Sequence, residues 1–168
     1  MCRFINRLSA LILTALSLNV LALDTDRQQP IKVQANSATI SKASGTSTYN
    51  GNVIVQQGSM RISTDKLTVN TSEGKLKSMV ANGKPVKFQQ RTTGGNKDVS
   101  AVANKMIYHA DTNIIVFENN ASLTQGSNKF ASNRITYNIA KETVDAGKSS
   151  GGSRVTITID PATTNPGN

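Results

Sequence analysis

The chain has 168 residues, a formal net charge of +9 and a hydrophobic fraction of only 37%. Its single cysteine, Cys2, precedes an apolar run, so the rest of the chain has to fold without disulfide bonds. It has no tryptophan, and this lean apolar content predicts one domain with a thin core and excludes a large, thickly packed one.

Residues 1–22 have the layout of a secretory signal peptide. Arg3 and Arg7 precede an apolar run from Leu8 to Leu21, Val20 and Ala22 fit the small-residue rule for cleavage, and polar sequence follows from Asp24. A membrane span needs about 20 apolar residues, and this run is shorter. We therefore expect cleavage and export, and the absence of cysteine afterwards favours a bacterial periplasm over a disulfide-rich secreted module. A retained membrane anchor is the alternative.

After residue 30 the apolar segments alternate with polar residues, which is typical of strands with one buried and one wetted face. Glycine- and asparagine-containing turns separate them, and no segment carries a helical apolar stripe. The sequence predicts an all-β domain over 23–159, built from short antiparallel strands, followed by a disordered tail over 160–168. The alternating runs are 31–33, 60–62, 67–69, 86–88, 135–137 and 155–159.

The chain repeats itself with an offset of 68 residues. Segments 49–70 and 117–138 share six identical positions, including both glycines of their QG pairs. A shorter phrase starts with Asn or Asp and ends in alternating apolar residues, and it occurs at 36–40, 65–69, 104–108 and 133–137. Such periodicity predicts stacked β-units that share a continuous core. A simple meander with similar strands is the alternative.

The residues of catalytic chemistry are sparse. His109 is the only histidine, and alternation places it on the solvent side if Tyr108 points inward. No pair of acids has a spacing typical of acid–base catalysis or metal ligation, and "GKSSG" at 147–151 lacks the strand and helix of a nucleophile elbow. We expect no enzyme activity, no metal and no cofactor.

The basic residues are scattered singly and few aromatic residues accompany them. That pattern argues against nucleic-acid binding and favours weak attraction to anionic lipid surfaces.

The ordered segments "YNGNVIVQQG" (49–58), "ISTDKLTV" (62–69), "GKPVKFQ" (83–89) and "SAVANKMIYHADT" (100–112) closely resemble the OstA-like (LptA) family of lipopolysaccharide-export proteins. The resemblance covers about 24–159. It implies a twisted, incomplete β-jellyroll that is open along one side. It also implies lipopolysaccharide (lipid A) as ligand, head-to-tail self-assembly, an LptC-like partner at the inner membrane and an LptD-like partner at the outer membrane, with peripheral contact to both. The second long repeat departs from the pattern, with "NNASL" in place of "GNVIV".

The resemblance implies which residues face the lipid groove. By position these are Ile31, Val33, Phe88, Met106 and Tyr108. Alternation adds Val55, Leu67, Val69, Ile135 and Tyr137. The first and last strands are rich in β-formers and, apart from Arg154 at the start of the last, carry no inward charge that would block pairing. We therefore expect self-assembly at Ile31, Lys32, Val33, Val155, Thr156, Ile157, Thr158 and Ile159.

Three alternatives remain at the level of sequence. One is a membrane-tethered (LptC-like) relative of the same machinery, which would keep residues 1–22. Another is a structural or adhesive β-repeat protein that conducts no lipid. A periplasmic polysaccharide hydrolase is the least supported, because paired carboxylates are missing.

Overall fold

The protein folds as a single antiparallel sheet of ten strands. The computed structural model describes residue 26 and residues 28–92, 98–147 and 154–159. The strands are β1 (Lys32–Gln34), β2 (Ser37–Ser41), β3 (Thr46–Gln57), β4 (Met60–Ser72), β5 (Lys75–Gln90), β6 (Val99–His109), β7 (Ile114–Gln125), β8 (Asn128–Asn138), β9 (Thr143–Ala146) and β10 (Thr156–Thr158). The predicted signal peptide (1–22) and the predicted tail (160–168) lie outside the described residues.

The sheet is open. Its main path runs β1-β3-β4-β5-β6-β7-β8-β10, with β2 paired beside β1 on β3 and β9 paired beside β10 on β8. All nine strand pairs are antiparallel. Within the described residues, no helix is long and apolar enough to cross a membrane.

A line of bulges crosses the sheet and divides it into two tiers. The register shifts at matching heights in five consecutive strand pairs, from Asn50/Val53 on β3 to Glu118/Ala121 on β7. We call this line the seam. The first tier comprises β1, β10 and the halves of β3–β8 paired with them. The second tier comprises β2, β9 and the other halves of β3–β8. Because bulges bend a sheet, the seam lets one sheet pack its two tiers on a common core.

Both tiers direct apolar side chains to that core. In β4, β5, β6 and β8 the inward-facing positions change between even-numbered and odd-numbered residues at the seam, whereas in β3 and β7 they stay odd-numbered. In β4, for example, Ile62 precedes the bulge and Leu67 follows it, and both are fully buried although their numbers differ in parity. One hydrophobic cluster contains the buried side chains of both tiers. Phe88 of the first tier meets Phe117 of the second edge-to-face, with ring centroids 5.6 Å apart.

The internal repeat is confirmed as a structural one. Segments 49–70 and 117–138 form most of the β3–β4 and β7–β8 hairpins, whose register shifts lie 68 residues apart. Gly58 and Gly126 take similar positive φ angles, 55° and 60°, in the two connecting turns. The Asn or Asp that opens each copy of the shorter phrase lies at the seam: Asn36, Asp65, Asn104 and Asn133.

The central strands are longer than the sequence predicts. The runs 60–62 and 67–69, predicted as separate short strands, are the two halves of β4, and 86–88 is the end of the 16-residue β5. The polar residues between such runs form bulges instead of turns. Asp65 illustrates this, because its carboxylate accepts a hydrogen bond from the Lys84 amide at 3.1 Å and ties the bulge to β5.

Candidate functional site

The inner face of the first tier carries an unbroken apolar row. Cross-strand pairing places eight side chains side by side from one end of the sheet to the other. In strand order they are Val33, Val55, Ile62, Phe88, Ala101, Leu123, Phe130 and Ile157.

The second tier presents two further rows toward the first. The row nearest the seam contains Tyr49, Leu67, Ala81, Met106, Phe117, Ile135 and Ala146. The next row contains Ser47, Val69, Met79, Tyr108, Ile115, Tyr137 and Val144, and Ser47 is its only non-apolar member apart from the tyrosine hydroxyls.

Nine of the ten groove residues predicted from the sequence fall on these three rows. The exception is Ile31, which precedes β1 and is exposed. Val33 and Val69 are half-buried, and the other seven are buried in the core. The geometry thus brings the predicted residues together on one apolar interior, while lipid contact at each of them stays a prediction.

The sequence reasoning missed several interior residues of the same rows. Ile62 was recoverable because it lies in the alternating run 60–62, and Phe117 was recoverable because it is the repeat counterpart of Tyr49. Met79 and Ile115 were harder to find, because their strands carry apolar residues on both faces, as Val80 and Val116 show.

The interior is closed in the middle of the sheet and uncovered at its ends. The central side chains of the first-tier row are fully buried, whereas Ile157 on β10 is 52% exposed. At the opposite end, Ile40 on β2 pairs with Ser47 and is 66% exposed. Apolar inner surface is therefore available to a ligand or to another chain at both ends.

Among the described residues, the three interior rows contain no thiol, carboxylate or imidazole. Burial, and to a smaller extent the nearby charge of Glu142, raises the pKa of Tyr137 to about 12, so this phenol stays neutral at physiological pH. His109 is exposed while Tyr108 is buried, which confirms the predicted alternation. The described residues contain no group of three or more His, Cys, Asp or Glu side chains placed to hold a metal.

Both ends of the sheet carry edge strands in both tiers. The predicted edge residues lie in or beside β1 and β10, and all except the half-buried Val33 are exposed. The sequence reasoning missed β2 and β9, which are the edges of the second tier. Among the described residues, β1 and β2 pair only with β3, and β9 and β10 pair only with β8. Each end therefore presents two strands to a neighbour.

These features define an open β-jellyroll with an apolar interior and unpaired ends. The chain belongs to the LptA/(LptD N-terminal domain) LPS transport protein family, whose model matches residues 32–143.

Relatives of known name support the same assignment. LptH, a lipopolysaccharide export system protein of Pseudomonas aeruginosa, is 33% identical over 153 residues, which cover 89% of this chain and 87% of the relative. LptA of Escherichia coli K12 is 31% identical over 160 residues, covering 94% and 85%. The crystal structure of Pseudomonas LptH, the LptA-homologous periplasmic component of a lipopolysaccharide transport device, superposes with a TM-score of 0.76 at 28% identity, over 82% of this chain and 99% of that one. These relatives are transport proteins.

Proposed function

We propose that this chain is a periplasmic bridge protein that binds lipopolysaccharide and carries it from the inner to the outer membrane. One observation carries the proposal: three apolar rows run continuously across an open sheet in a member of this transport family. The role needs no enzyme activity and no cofactor.

The energetics of acyl chains require such a carrier. Moving a chain of about a dozen carbons into water costs about 0.8 kcal/mol per methylene, or on the order of 10 kcal/mol per chain. Lipid A has several chains, so free diffusion through the periplasm is excluded. A sheet with an oily inner face and a polar outer face shields the chains and leaves the sugars and phosphates wet.

Lipid entry requires the two tiers to separate, because the central side chains of the rows pack on one another. The exposed inner surface at Ile40 and Ile157 provides the starting points. An acyl chain that enters there replaces one set of apolar contacts with another, so the hydrophobic free energy of the interior is largely retained.

The edge strands support head-to-tail assembly. If β10 of one copy pairs with β1 of the next, and β9 pairs with β2, both tiers continue without a break and the exposed inner face of Ile157 is covered. The same edges suit related jellyrolls, an LptC-like partner at the inner membrane and an LptD-like partner at the outer membrane.

Peripheral membrane contact has a suitable surface on the outer face of the first tier. Lys32, Arg61, Lys87 and Lys129 project there and are exposed, and none of the described outward-facing residues on the first-tier strands is acidic. Each basic group contributes about 1 kcal/mol near an anionic lipid surface.

A photo-crosslinking amino acid tests lipid conduction directly. We expect a lipopolysaccharide adduct from Phe88 or Tyr108 in cells that make this lipid, and none from His109, which is adjacent in sequence but on the outer face. Equal adducts at Tyr108 and His109, or none at either interior position, would leave a scaffold without lipid conduction as the better account.

Two further measurements test assembly and export. Light scattering should show a mass that rises with protein concentration, and deletion of residues 155–168 should abolish the rise; growth that persists refutes the edge assignment.

Mass spectrometry should find the N-terminus of the exported protein near Leu23, whereas a retained leader would indicate the membrane-tethered relative.

A further inference from the structure

The inner face of the first tier ends in a row of mostly amide side chains. This last inner row lies two residues beyond the apolar row, at the strand ends farthest from the seam, and we call it the rim. In strand order the rim contains Gln57, Met60, Gln90, Val99, Gln125 and Asn128. Four of these six residues are amides, whereas the apolar row beside them contains none. The inner face therefore changes from apolar to polar over the spacing of two strand residues, about 7 Å.

The internal repeat places an amide at the same rim position twice. Gln57 and Gln125 are 68 residues apart, and each directly precedes the turn glycine of its hairpin, Gly58 or Gly126. In both hairpins the preceding inward-facing residue is a fully buried apolar one. The amide at the rim therefore belongs to the repeated unit and is not an isolated substitution in one strand.

Gln90 places an unpaired acceptor in the middle of the rim. The side chain is 8% exposed, and its Oε1 is the only buried side-chain nitrogen or oxygen of the described residues that lacks a hydrogen-bond partner. It projects from the same face as Phe88, between the buried side chains of Met60 and Val99. Native proteins keep few such atoms because an unpaired buried acceptor is destabilising. A ligand atom that donates a hydrogen bond at this point would satisfy the oxygen.

Gln57 illustrates the kind of group that a rim amide binds. Its Nε2 donates to the backbone carbonyl of Gln29 at 3.1 Å, in the segment that leads into β1. The acceptor is therefore an amide carbonyl. Each amide side chain offers both donors and an acceptor, and no rim residue is charged. The rim thus suits neutral carbonyl, hydroxyl and amide groups, and it supplies no charge for a phosphate.

The rim lies where an acylated ligand changes from apolar to polar. An acyl chain that occupies the inner rows reaches solvent across the rim, so the polar atoms that link the chain to its sugar or glycerol lie there. In an ester-linked glycerolipid these atoms are acceptors only. An amide-linked or 3-hydroxylated acyl chain, as in lipid A, adds an N–H or O–H donor, and a donor is what the Gln90 oxygen lacks.

From this arrangement we infer that the rim is a subsite for the linkage region of the bound lipid, and that Gln90 favours amide-linked or hydroxylated acyl chains over plain ester-linked ones. The inference rests on the proposed function, because acyl chains have to occupy the inner rows. It adds a selectivity that an apolar interior cannot supply, since all saturated chains present the same methylene surface. A lipid without a donor would leave the buried Gln90 oxygen unpaired, which disfavours its binding.

Titration calorimetry with 3-hydroxytetradecanoate and tetradecanoate tests the subsite with two ligands that differ by one hydroxyl. Both are used below the concentrations at which they form micelles. An interior that is only apolar would prefer tetradecanoate, because burying a hydroxyl without a partner is unfavourable. We expect the opposite order, with the hydroxylated acid bound at least about threefold more tightly. Equal or weaker binding of the hydroxylated acid overturns the inference.

Gln90→Leu, with Gln89→Leu as the matched control, assigns the preference to the rim. Gln89 is the preceding residue of β5 and is exposed on the outer face, so the control removes the same side chain from the other side of the sheet. We expect Gln90→Leu to weaken binding of 3-hydroxytetradecanoate about tenfold without weakening that of tetradecanoate, and Gln89→Leu to change neither. An equal effect of the two variants, or a preference that survives Gln90→Leu, overturns the inference.

The thermal midpoint of the ligand-free variants gives an independent readout. Because the native Gln90 oxygen is unpaired, Gln90→Leu should keep or raise the midpoint. A clearly lowered midpoint would show that this side chain already has a partner in the folded protein and is not available to a ligand. The comparison of the two acids on the unmodified protein does not depend on this variant.

Lipid A and phosphatidylglycerol, each dispersed in detergent, separate the subsite from the wider function. Gln90→Leu should weaken binding of lipid A about tenfold and leave binding of phosphatidylglycerol unchanged. Undiminished binding of lipid A by this variant overturns the subsite and leaves the proposed function standing. An unmodified protein that binds neither lipid A nor the two fatty acids counts against the proposed function itself.

Discussion

Replacing Phe88 with alanine measures whether the two tiers are packed together in the free protein. The ring is fully buried and meets Phe117 of the opposite tier edge-to-face. Phe→Ala in a core costs about 3–5 kcal/mol, and an aromatic pair adds about 0.5–1.5 kcal/mol beyond area burial. We expect a loss of about 4 kcal/mol, a large part of the roughly 5–15 kcal/mol that stabilises a typical domain.

Urea unfolding followed by circular dichroism is the suitable assay. With a urea dependence of about 2 kcal/mol per molar, a loss of 4 kcal/mol shifts the midpoint by about 2 M. Val102→Ala is the matched control, because Val102 follows Ala101, the cross-strand partner of Phe88, but points outward and is 39% exposed. Its expected loss is below about 1 kcal/mol.

The comparison has a clear refuting result. If Phe88→Ala loses no more stability than Val102→Ala, the ring is already solvated and the tiers are apart in solution. The interior would then be a permanently open groove, and the argument that lipid has to displace packed side chains would be wrong.

Three further predictions concern other parts of the sheet. Gly58→Ala should destabilise the protein by more than about 2 kcal/mol in urea unfolding, because a Cβ there would collide with Asp26 at a positive φ of 55°, whereas Gly74→Ala (φ 72°, nothing within 4 Å) should cost only about 1 kcal/mol. The pKa of Tyr137 is raised to about 12, against 10.0 in the unfolded chain, so the unfolded state loses its phenol proton at lower pH than the folded state. The free energy of unfolding should therefore fall as pH rises from about 10 to 12. The fall should be on the order of 2 kcal/mol larger than in the control variant Tyr137→Phe. Glu118→Gln breaks two partly exposed ion pairs and should cost less than about 1 kcal/mol, with a smaller difference in high salt; a larger loss would show that the pairs are structural.

Alternation in the sequence was sufficient to identify part of the interior. Phe88 and Leu67 sit in short runs whose apolar members share one face, and the Tyr108–His109 step separates core from solvent as period two requires. Such runs can be recognised from local sequence alone, because a strand with one solvent-exposed face alternates apolar and polar residues.

The two-tier arrangement was not accessible in the same way. Asp65 and Lys66 look like a turn between two short strands, since polar residues interrupt the apolar pattern there. Whether such residues form a turn or a bulge depends on the neighbouring strands, in this case on the hydrogen bond from the Lys84 amide to Asp65. Pairing with a distant strand determines that these residues form a bulge, and the local sequence does not encode that pairing.

The edge strands of the second tier and the buried Gln90 were missed for a different reason. All five residues of β2 are exposed, so Ser37–Ser41 carries little apolar signal and its strand conformation comes from pairing with β3. Gln90 belongs to a residue type that is usually found at the surface, and only the fold places it at the end of the core. Composition identifies an oily face, but it does not identify a buried polar side chain beside that face.

The closed centre and the exposed ends together explain how one sheet can be stable when empty and still receive lipid, as the proposed function requires. Packing Phe88 on Phe117 removes from water the surface that an acyl chain would otherwise cover, so the empty interior does not remain hydrated. Exchanging these contacts for an acyl chain leaves the apolar area buried nearly constant, and the remaining energy difference is small compared with the roughly 10 kcal/mol needed to place that chain in water. Entry is easiest where the packing is already incomplete, at Ile40 and Ile157. A second copy docked on these ends would cover the same surface, so lipid entry and end-to-end assembly are expected to be coupled.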